Sequence, residues 1–273
     1  MTRADLRIEI IKGRRIECRL IGEPDPADTV LVFLHEGLGS VALWRDFPDR
    51  LCALTGLKGL IYSRTGYGGS DPCDLPRPLD YTDREADDVL PSVLQHFDIR
   101  DFVLIGHSDG ATIALMYACL PEVQPARGLV IMAPHVMVEQ ISIDGILAAK
   151  RAYEEGDLRA RLQKFHGANT ENAFRGWSDT WLNPAFRDWN IEPMLPNCTA
   201  PVLAIQGTDD AYGTLAQIDA IEAGVSGPFR SLILDGCGHV PWRERQEEVL
   251  AAAAEFIAGL APEGDYQILY STH

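Results

Sequence analysis

A serine, a pair of aspartates and a histidine sit in glycine-flanked stretches of this chain, and together they could attack an acyl carbon. Ser108 lies in Gly106-His-Ser-Asp-Gly110, Asp209 and Asp210 close Gly207-Thr-Asp-Asp210, and His239 closes Gly236-Cys-Gly-His239. A serine hydroxyl is a weak nucleophile at neutral pH and needs an adjacent base, for which imidazole is suited. The imidazole needs a carboxylate that fixes its tautomer and stabilises its cationic form. The G-x-S-x-G spacing supplies small neighbours where a strand turns sharply into a helix, a turn that strains the serine backbone and exposes its hydroxyl at a helix N-terminus.

The elements around these residues have the right alternation to gather them. The apolar runs Thr29 to Leu34, Gly59 to Ser63, Asp101 to His107, Gly128 to Met132, Pro201 to Gln206 and Arg230 to Leu234 read as buried strands. Between them, Trp44 to Leu54, Tyr81 to Phe97, Asp109 to Leu120, Leu215 to Ala223 and Arg243 to Leu260 read as helices, with Pro91 an irregularity in the second. Arg7 to Ile11 and Arg15 to Leu20 read as a hairpin about Lys12-Gly-Arg14. Strands separated by helices imply parallel pairing with right-handed crossovers, hence an α/β fold with a mostly parallel central sheet covered by helices on both faces. From Val136 to Leu195 the alternation stops. That stretch reads as helical, with Leu147 to Glu155 and Asp157 to His166 as candidates, and holds Trp177, Trp181 and Trp189 among other aromatics. We therefore expect a core of residues 1–135 and 196–273 with a helical cap inserted at 136–195; the alternative is that the aromatics are further core. Ala261 to His273 shows no pattern and reads as a loosely packed tail.

In an open parallel sheet, chemistry gathers at the carboxyl ends of the strands, and four loops of interest fall there. They are His35-Glu-Gly-Leu-Gly-Ser40, the Ser108 turn, the Asp209-Asp210 turn and the His239 loop. With Gly66-Tyr-Gly-Gly-Ser-Asp-Pro72 they make the chain resemble the α/β-hydrolase superfamily from about Thr29 to Leu260, and the order Ser…Asp…His is the one that fold uses. The resemblance implies that Ser108 is the nucleophile, His239 the general base and then acid, and Asp210 the orienting acid by the G-x-x-D count from Gly207. Asp209 is the alternative, with turn capping as its other role. It also implies an oxyanion hole from the N–H of Asp109 and one from the His35 loop. The family usually has His-Gly-x where this chain has His35-Glu36-Gly37, which points to Gly37, with Leu38 as the alternative. Glu36 departs from the usual glycine, as a solvated charge or as a group favouring a cationic or hydrogen-bonding substrate. The Asp109 side chain could face the pocket or cap its helix, and capping, the commoner role of aspartate at a helix start, is the expectation. His107 is expected to pack under the serine turn, His35 to stabilise its loop, and His135, with Trp177 and Trp181, to line the pocket. His96, His166 and His273 have no motif and read as surface or cap residues.

Composition narrows the function classes. At 273 residues, 46% hydrophobic and 23% charged, the chain has an ordinary globular make-up. A net charge of −16 argues against nucleic acid as a partner. No apolar run reaches the ~18 residues of a membrane span, and Met1 to Ile10 lacks the basic start and apolar run of a signal peptide. Six cysteines without a C-x-x-C pair read as reduced thiols in a cytoplasmic protein. No metal-ligand spacing, G-x-G-x-x-G or P-loop occurs, so no metal or cofactor is expected. The expectation is a serine hydrolase acting on a carboxylic ester or related acyl compound, with a small-molecule substrate and an aromatic cap that could support a homodimer. Cleavage of a carbon–carbon bond, lactone or amide on the same residues is the alternative, and a ligand-binding receptor with little turnover is the alternative of another class.

Overall fold

The computed structural model describes residues 6–260; the patternless stretch 261–273 lies outside the described residues. In chain order the strands are β1 (Leu6–Ile11), β2 (Arg14–Ile21), β3 (Thr29–Leu34), β4 (Lys58–Tyr62), β5 (Asp101–His107), β6 (Gly128–Met132), β7 (Val202–Gly207) and β8 (Phe229–Leu234). They form one sheet in the order β1-β2-β4-β3-β5-β6-β7-β8. β2 runs antiparallel to both its neighbours, β1 and β4, while β4, β3, β5, β6, β7 and β8 are mutually parallel.

Period-two alternation builds two cores from the same strands. Val30, Val32, Leu34, Phe102, Leu104, Leu129 and Ile131 face one side, where α3 (Leu90–His96), α4 (Asp109–Ala118) and α8 (Ala216–Gly224) pack. Leu31, Phe33, Val103, Ile105, Val130 and Met132 face the other, covered by α1 (Phe47–Thr55) and α10 (Gln246–Ala258). Each such side chain, fully removed from water, contributes about 1.5–3 kcal/mol. Burial on both faces is why these strands read as unbroken apolar runs.

Three helices depart from the sequence expectation. The helix expected from Trp44 starts later, at Phe47, after a 3₁₀ turn at Val41–Trp44 and a left-handed Arg45 (φ 53°). The helix expected over 81–97 is α2 (Tyr81–Arg84) joined to α3 through a π turn at Glu85–Val89. Pro91 explains the turn, because it has no N–H for the carbonyl four residues earlier and its ring crowds that carbonyl. The last helix is divided into α9 (Pro241–Glu244) and α10, with Arg245 at φ −129°, ψ 46° between them.

Between β6 and β7 lie α5 (Gln140–Glu154), α6 (Leu158–His166) and α7 (Thr170–Trp181). The sequence expectation did not resolve α7 and began α5 seven residues late. Phe174, Trp177 and Trp181, at helical spacing on α7, mark its buried face. They join Ile146, Tyr153, Leu162 and Phe186 in an apolar cluster distinct from the two sheet cores, with Leu38 and Tyr212 packed against it from the strand-end loops. Val136, Ile191 and Leu195, at the ends of the segment, belong to the sheet core. No helix among the described residues is long and apolar enough to cross a membrane.

Candidate active site

Register brings the loops of interest to one edge of the sheet. Leu34 pairs with Gly106, His107 with Met132, and Gly207 with Leu234, so the chain leaves β3, β5, β6, β7 and β8 on the same side. Ser108 sits where β5 turns into α4, with φ 52° and ψ −117°. A non-glycine residue in such a region costs on the order of 1–3 kcal/mol and persists only where its surroundings enforce it. Here the Ser108 N–H donates to Met132 O (2.9 Å), and the Ser108 carbonyl accepts from the N–H groups of Ala111 and Thr112. The flanking glycines are required by close approach. A Cβ on Gly110 would stand 2.0 Å from Leu34 O, and one on Gly106 2.5 Å from Gly110 O.

Ser108, His239 and Asp210 form a continuous hydrogen-bonded chain. His239 Nε2 lies 3.0 Å from Ser108 Oγ, and Nδ1 lies 2.9 and 2.8 Å from the two oxygens of Asp210. A carboxylate facing Nδ1 assigns the proton of the neutral ring to that nitrogen and leaves Nε2 free to accept from the serine. Asp210 is itself held by Gln206 Nε2 (2.9 Å) and the Tyr212 N–H (2.8 Å). Burial pushes its carboxyl up, but the hydrogen bond and charge of His239 and the Tyr212 N–H outweigh burial and leave it below its ordinary value. Asp209 is exposed, and its backbone N–H donates to Cys237 O (2.9 Å), a turn contact. The arrangement can move a proton from a hydroxyl to an imidazole and hold the resulting cation against a carboxylate.

A cavity of about 180 Å³ opens beside Ser108, walled by Glu36, Gly37, Leu38, His135, Trp177 and Trp181, with Asp109, Tyr212 and His239 also facing it. The sequence-derived pocket residues therefore come together here. A larger groove of about 1010 Å³ on α5, α6 and α7 is lined by Lys150, Glu154, Arg159 and Glu171 and touches none of them. Among the described residues no cluster of His, Cys, Asp and Glu has the make-up of a metal site.

Backbone direction at the β3 loop follows from its carbonyls. Glu36 O accepts from His35 Nδ1 (2.7 Å), the Gly39 N–H (3.0 Å) and Arg64 Nη2 (3.1 Å). The Glu36–Gly37 peptide is trans, so its N–H points opposite to that carbonyl. The Ser108 carbonyl is likewise turned into α4, so the N–H of Asp109 across the same trans peptide points the other way. Neither N–H, nor that of Leu38, meets an acceptor among the described residues. The Glu36 side chain folds back over Gly39, where a Cβ would stand 2.5 Å from Glu36 Oε2, and reaches His107 Nδ1 at 3.3 Å. Burial pushes the Glu36 carboxyl up, yet the hydrogen bond and charge of His107 bring it below the ordinary range. Glu36 is thus neither freely solvated nor aimed squarely at the cavity.

One expectation is overturned. Asp109 does not cap α4 through its side chain. Its buried carboxylate accepts from Tyr81 OH (2.9 Å) and lies 3.6 Å from Arg64 Nη2, because a buried cation and a phenol offer it stronger partners than backbone N–H groups. Of the two readings of His166, surface or cap, its place at the end of α6 in the 136–195 segment fits the second. The ring is buried, its Nδ1 accepts from the Gly68 N–H (3.1 Å), and its Nε2 therefore donates to Leu38 O (3.0 Å). Gly68 belongs to the loop after β4, so His166 ties α6 to both strand-end loops. His96 is partly exposed and faces Glu9, and His273 lies outside the described residues. His107 is buried against Trp44 and Trp242 beneath the turn, with Nε2 2.7 Å from His239 O. His35 is held in one tautomer: Nε2 accepts from the Arg64 N–H (3.1 Å), so Nδ1 donates to Glu36 O. Sequence reasoning missed Arg64, Tyr81, Gln206 and Tyr212, which support the site. The only signal for Gln206 and Tyr212 was their place two to four residues from Asp210.

Residues 31–253 match the Alpha/beta hydrolase family. A proline iminopeptidase of Lactobacillus helveticus is 22% identical, over 92% of this chain and 98% of that protein. Among solved structures, a carboxylesterase of the thaumarchaeon Nitrososphaera gargenis superposes with a TM-score of 0.73 at 18% identity, covering 93% of this chain and 98% of that one. An enol-lactonase of Burkholderia xenovorans LB400 superposes with a TM-score of 0.69 at 17% identity, covering 92% and 100%. At these identities the superpositions speak for the fold. The match over 31–253, the sheet order and the strained serine turn agree, and the chain belongs to the α/β-hydrolase family.

Proposed function

We propose that the protein is a serine hydrolase that cleaves a carboxylic ester or related acyl compound through an acyl-enzyme. The observation that carries this reading is the 3.0 Å approach of His239 Nε2 to Ser108 Oγ, with Nδ1 of the same ring on Asp210. Ser108 Oγ attacks the acyl carbon as its proton passes to His239 Nε2. The carbonyl oxygen becomes an anion held by the N–H groups of Gly37 and Asp109; one such donor typically contributes about 3 kcal/mol to lowering the barrier. Collapse expels the leaving oxygen, which takes the proton from His239 and leaves the acyl group on Ser108. A water then gives a proton to His239 while its oxygen attacks the same carbon, and a second collapse frees the acid and returns the proton to Ser108. Asp210 holds the ring in place throughout and stabilises its cation. The aromatic walls of the cavity and its size of about 180 Å³ favour a small, mostly apolar acyl or alcohol group.

The similar proteins named above include a peptidase, a carboxylesterase and a lactonase, so the bond cleaved is the second question. The test is labelling with a fluorophosphonate, followed by turnover of short-chain p-nitrophenyl esters, lactones and N-terminal amides. Labelling should fall on Ser108 and vanish in Ser108→Ala, with esters turned over fastest. Amide or lactone turnover in excess of ester turnover would reassign the substrate class. Folded protein that neither labels nor turns over any of the three would sink the hydrolase reading in favour of a binding protein with this fold.

A further inference from the structure

Arg64 follows β4 and is one of the most deeply buried charges in the protein, 1% exposed. Its Nη1 donates to His35 O (2.7 Å) and its Nη2 to Glu36 O (3.1 Å), while Nη2 also lies 3.6 Å from Asp109 Oδ2. Its backbone N–H holds the His35 ring. One planar guanidinium therefore grips the two carbonyls that precede Gly37 and the side chain of Asp109. These are the two segments, both lining the cavity, from which the acyl-transfer reading takes its anion donors. The carboxylate of Asp109 is tied further to Tyr81 OH (2.9 Å), which accepts from Trp181 Nε1 (3.0 Å) on the cavity wall.

Stability alone is a poor reason for such a pair. Taking two charges out of water costs several kcal/mol each, and an apolar pair of similar volume often does as well. What apolar side chains cannot do is set the direction of two peptide planes at once. Turning the Glu36 carbonyl toward the guanidinium turns the Gly37 N–H the other way, and polarises that peptide so that its N–H is a better donor. The pairing also neutralises a carboxylate on the residue directly after Ser108, where an unpaired negative charge would oppose a forming anion.

We propose that Arg64 is a positioning residue for the anion site: it sets the Gly37 and Asp109 N–H groups in mutual register and cancels the Asp109 charge. This rests on the acyl-transfer reading above. Lysine would keep the charge but lose the fork, and methionine would remove both.

The test compares wild type with Arg64→Lys, Arg64→Met, Asp109→Asn and the double variant Arg64→Met/Asp109→Asn. Sites are counted by fluorophosphonate titration, and kcat, KM and affinity for a boronic acid that mimics the tetrahedral anion are measured. Arg64→Met should lower kcat per titrated site on the order of 10²-fold, the scale of one lost anion donor. Boronate affinity should weaken in parallel, with KM nearly unchanged. Arg64→Lys should fall between that variant and wild type, and Asp109→Asn in the methionine background should recover part of kcat by removing the stranded charge. A purely structural Arg64 would lower the melting temperature but leave kcat per titrated site and boronate affinity as in wild type, and that result overturns the proposal. Should Arg64→Met not fold, Arg64→Lys and the isosteric Asp109→Asn decide it by the same split between kcat and KM. Wild type without labelling or turnover would instead remove the acyl-transfer reading, which is a distinguishable failure.

Discussion

Mild acid should destabilise this protein in part through one imidazole on the cavity wall. His135 is 3% exposed, with its ring centroid 5.2 Å from Trp181 and 5.8 Å from His239, and its backbone is held by Thr112 Oγ1. Its Nδ1 is buried without a partner. Burial first, and then the charge of the nearby His239, push its pKa from the ordinary 6.5 down to about 3. In the unfolded chain the ring takes up a proton as the pH drops below 6.5; in the folded protein it does not until about 3. Between those values the unfolded state binds more protons, so stability falls as pH falls; the contribution is fully present above 6.5. At about pH 5, roughly 1.5 pH units below the ordinary value, the loss is about 2 kcal/mol. The assay is urea unfolding of wild type and His135→Phe at about pH 7.5 and about pH 5. His35 and His166, also held neutral by burial, titrate in both proteins and drop out of the difference. Wild type should lose about 2 kcal/mol more than the variant over this interval. Equal losses in the two proteins would refute a neutral ring held against its ordinary protonation.

Two further substitutions probe the frame around Ser108. Gly110→Ala places a methyl 2.0 Å from Leu34 O and 2.8 Å from His35 O, both backbone atoms that cannot swing aside. It should therefore cost at least the ~1–3 kcal/mol of an overpacked core, read as a lowered urea midpoint or loss of soluble protein; a wild-type midpoint would show that β3 and α4 are not so close. Asp210→Asn should keep the hydrogen-bonding shape but take away the charge behind His239 and favour the wrong tautomer, lowering kcat on the order of 10⁴-fold. Steady-state turnover of the best ester within tenfold of wild type would remove Asp210 from the proton path.

The strands that position the site were legible because burial on both faces writes them as apolar runs. Thr29–Leu34, Asp101–His107 and Gly128–Met132 have the bounds that their residue types suggest. Breaks were harder. The π turn at Glu85–Val89 needs the register of the Pro91 ring against a particular carbonyl, and α7 carries Gly176 and Thr180, which weaken its propensity while Phe174, Trp177 and Trp181 keep its spacing. The Ser108, Asp210 and His239 positions were legible because each loop carries a local motif. Their supports were not. Arg64, Arg77 and Glu85 look like solvated charges along the chain, yet all three are buried, and the partner that makes burial tolerable lies elsewhere in the sequence. For Arg64 those partners are His35, Glu36 and Asp109.

The same dependence on distant partners accounts for how acidic residues can flank the proposed anion site in a chain of net charge −16. Glu36 stands where the family usually has glycine, and Asp109 directly follows Ser108. Either carboxylate, unpaired in a poorly hydrated site, would oppose negative charge by several kcal/mol at an effective dielectric near 20 and ~4 Å separation. Each instead meets a fixed partner: Glu36 lies against the buried His107 ring and Asp109 against the buried Arg64. The two arrangements share one backbone hinge. Glu36 O is gripped by the same guanidinium that faces Asp109, and Gly39 leaves the room into which the Glu36 side chain folds. A single change from glycine to glutamate in the β3 loop is therefore not a local event. In the proposed anion site it leans on Gly39, His107 and Arg64 together, so Gly39→Ala should disturb the cavity although Gly39 does not face it.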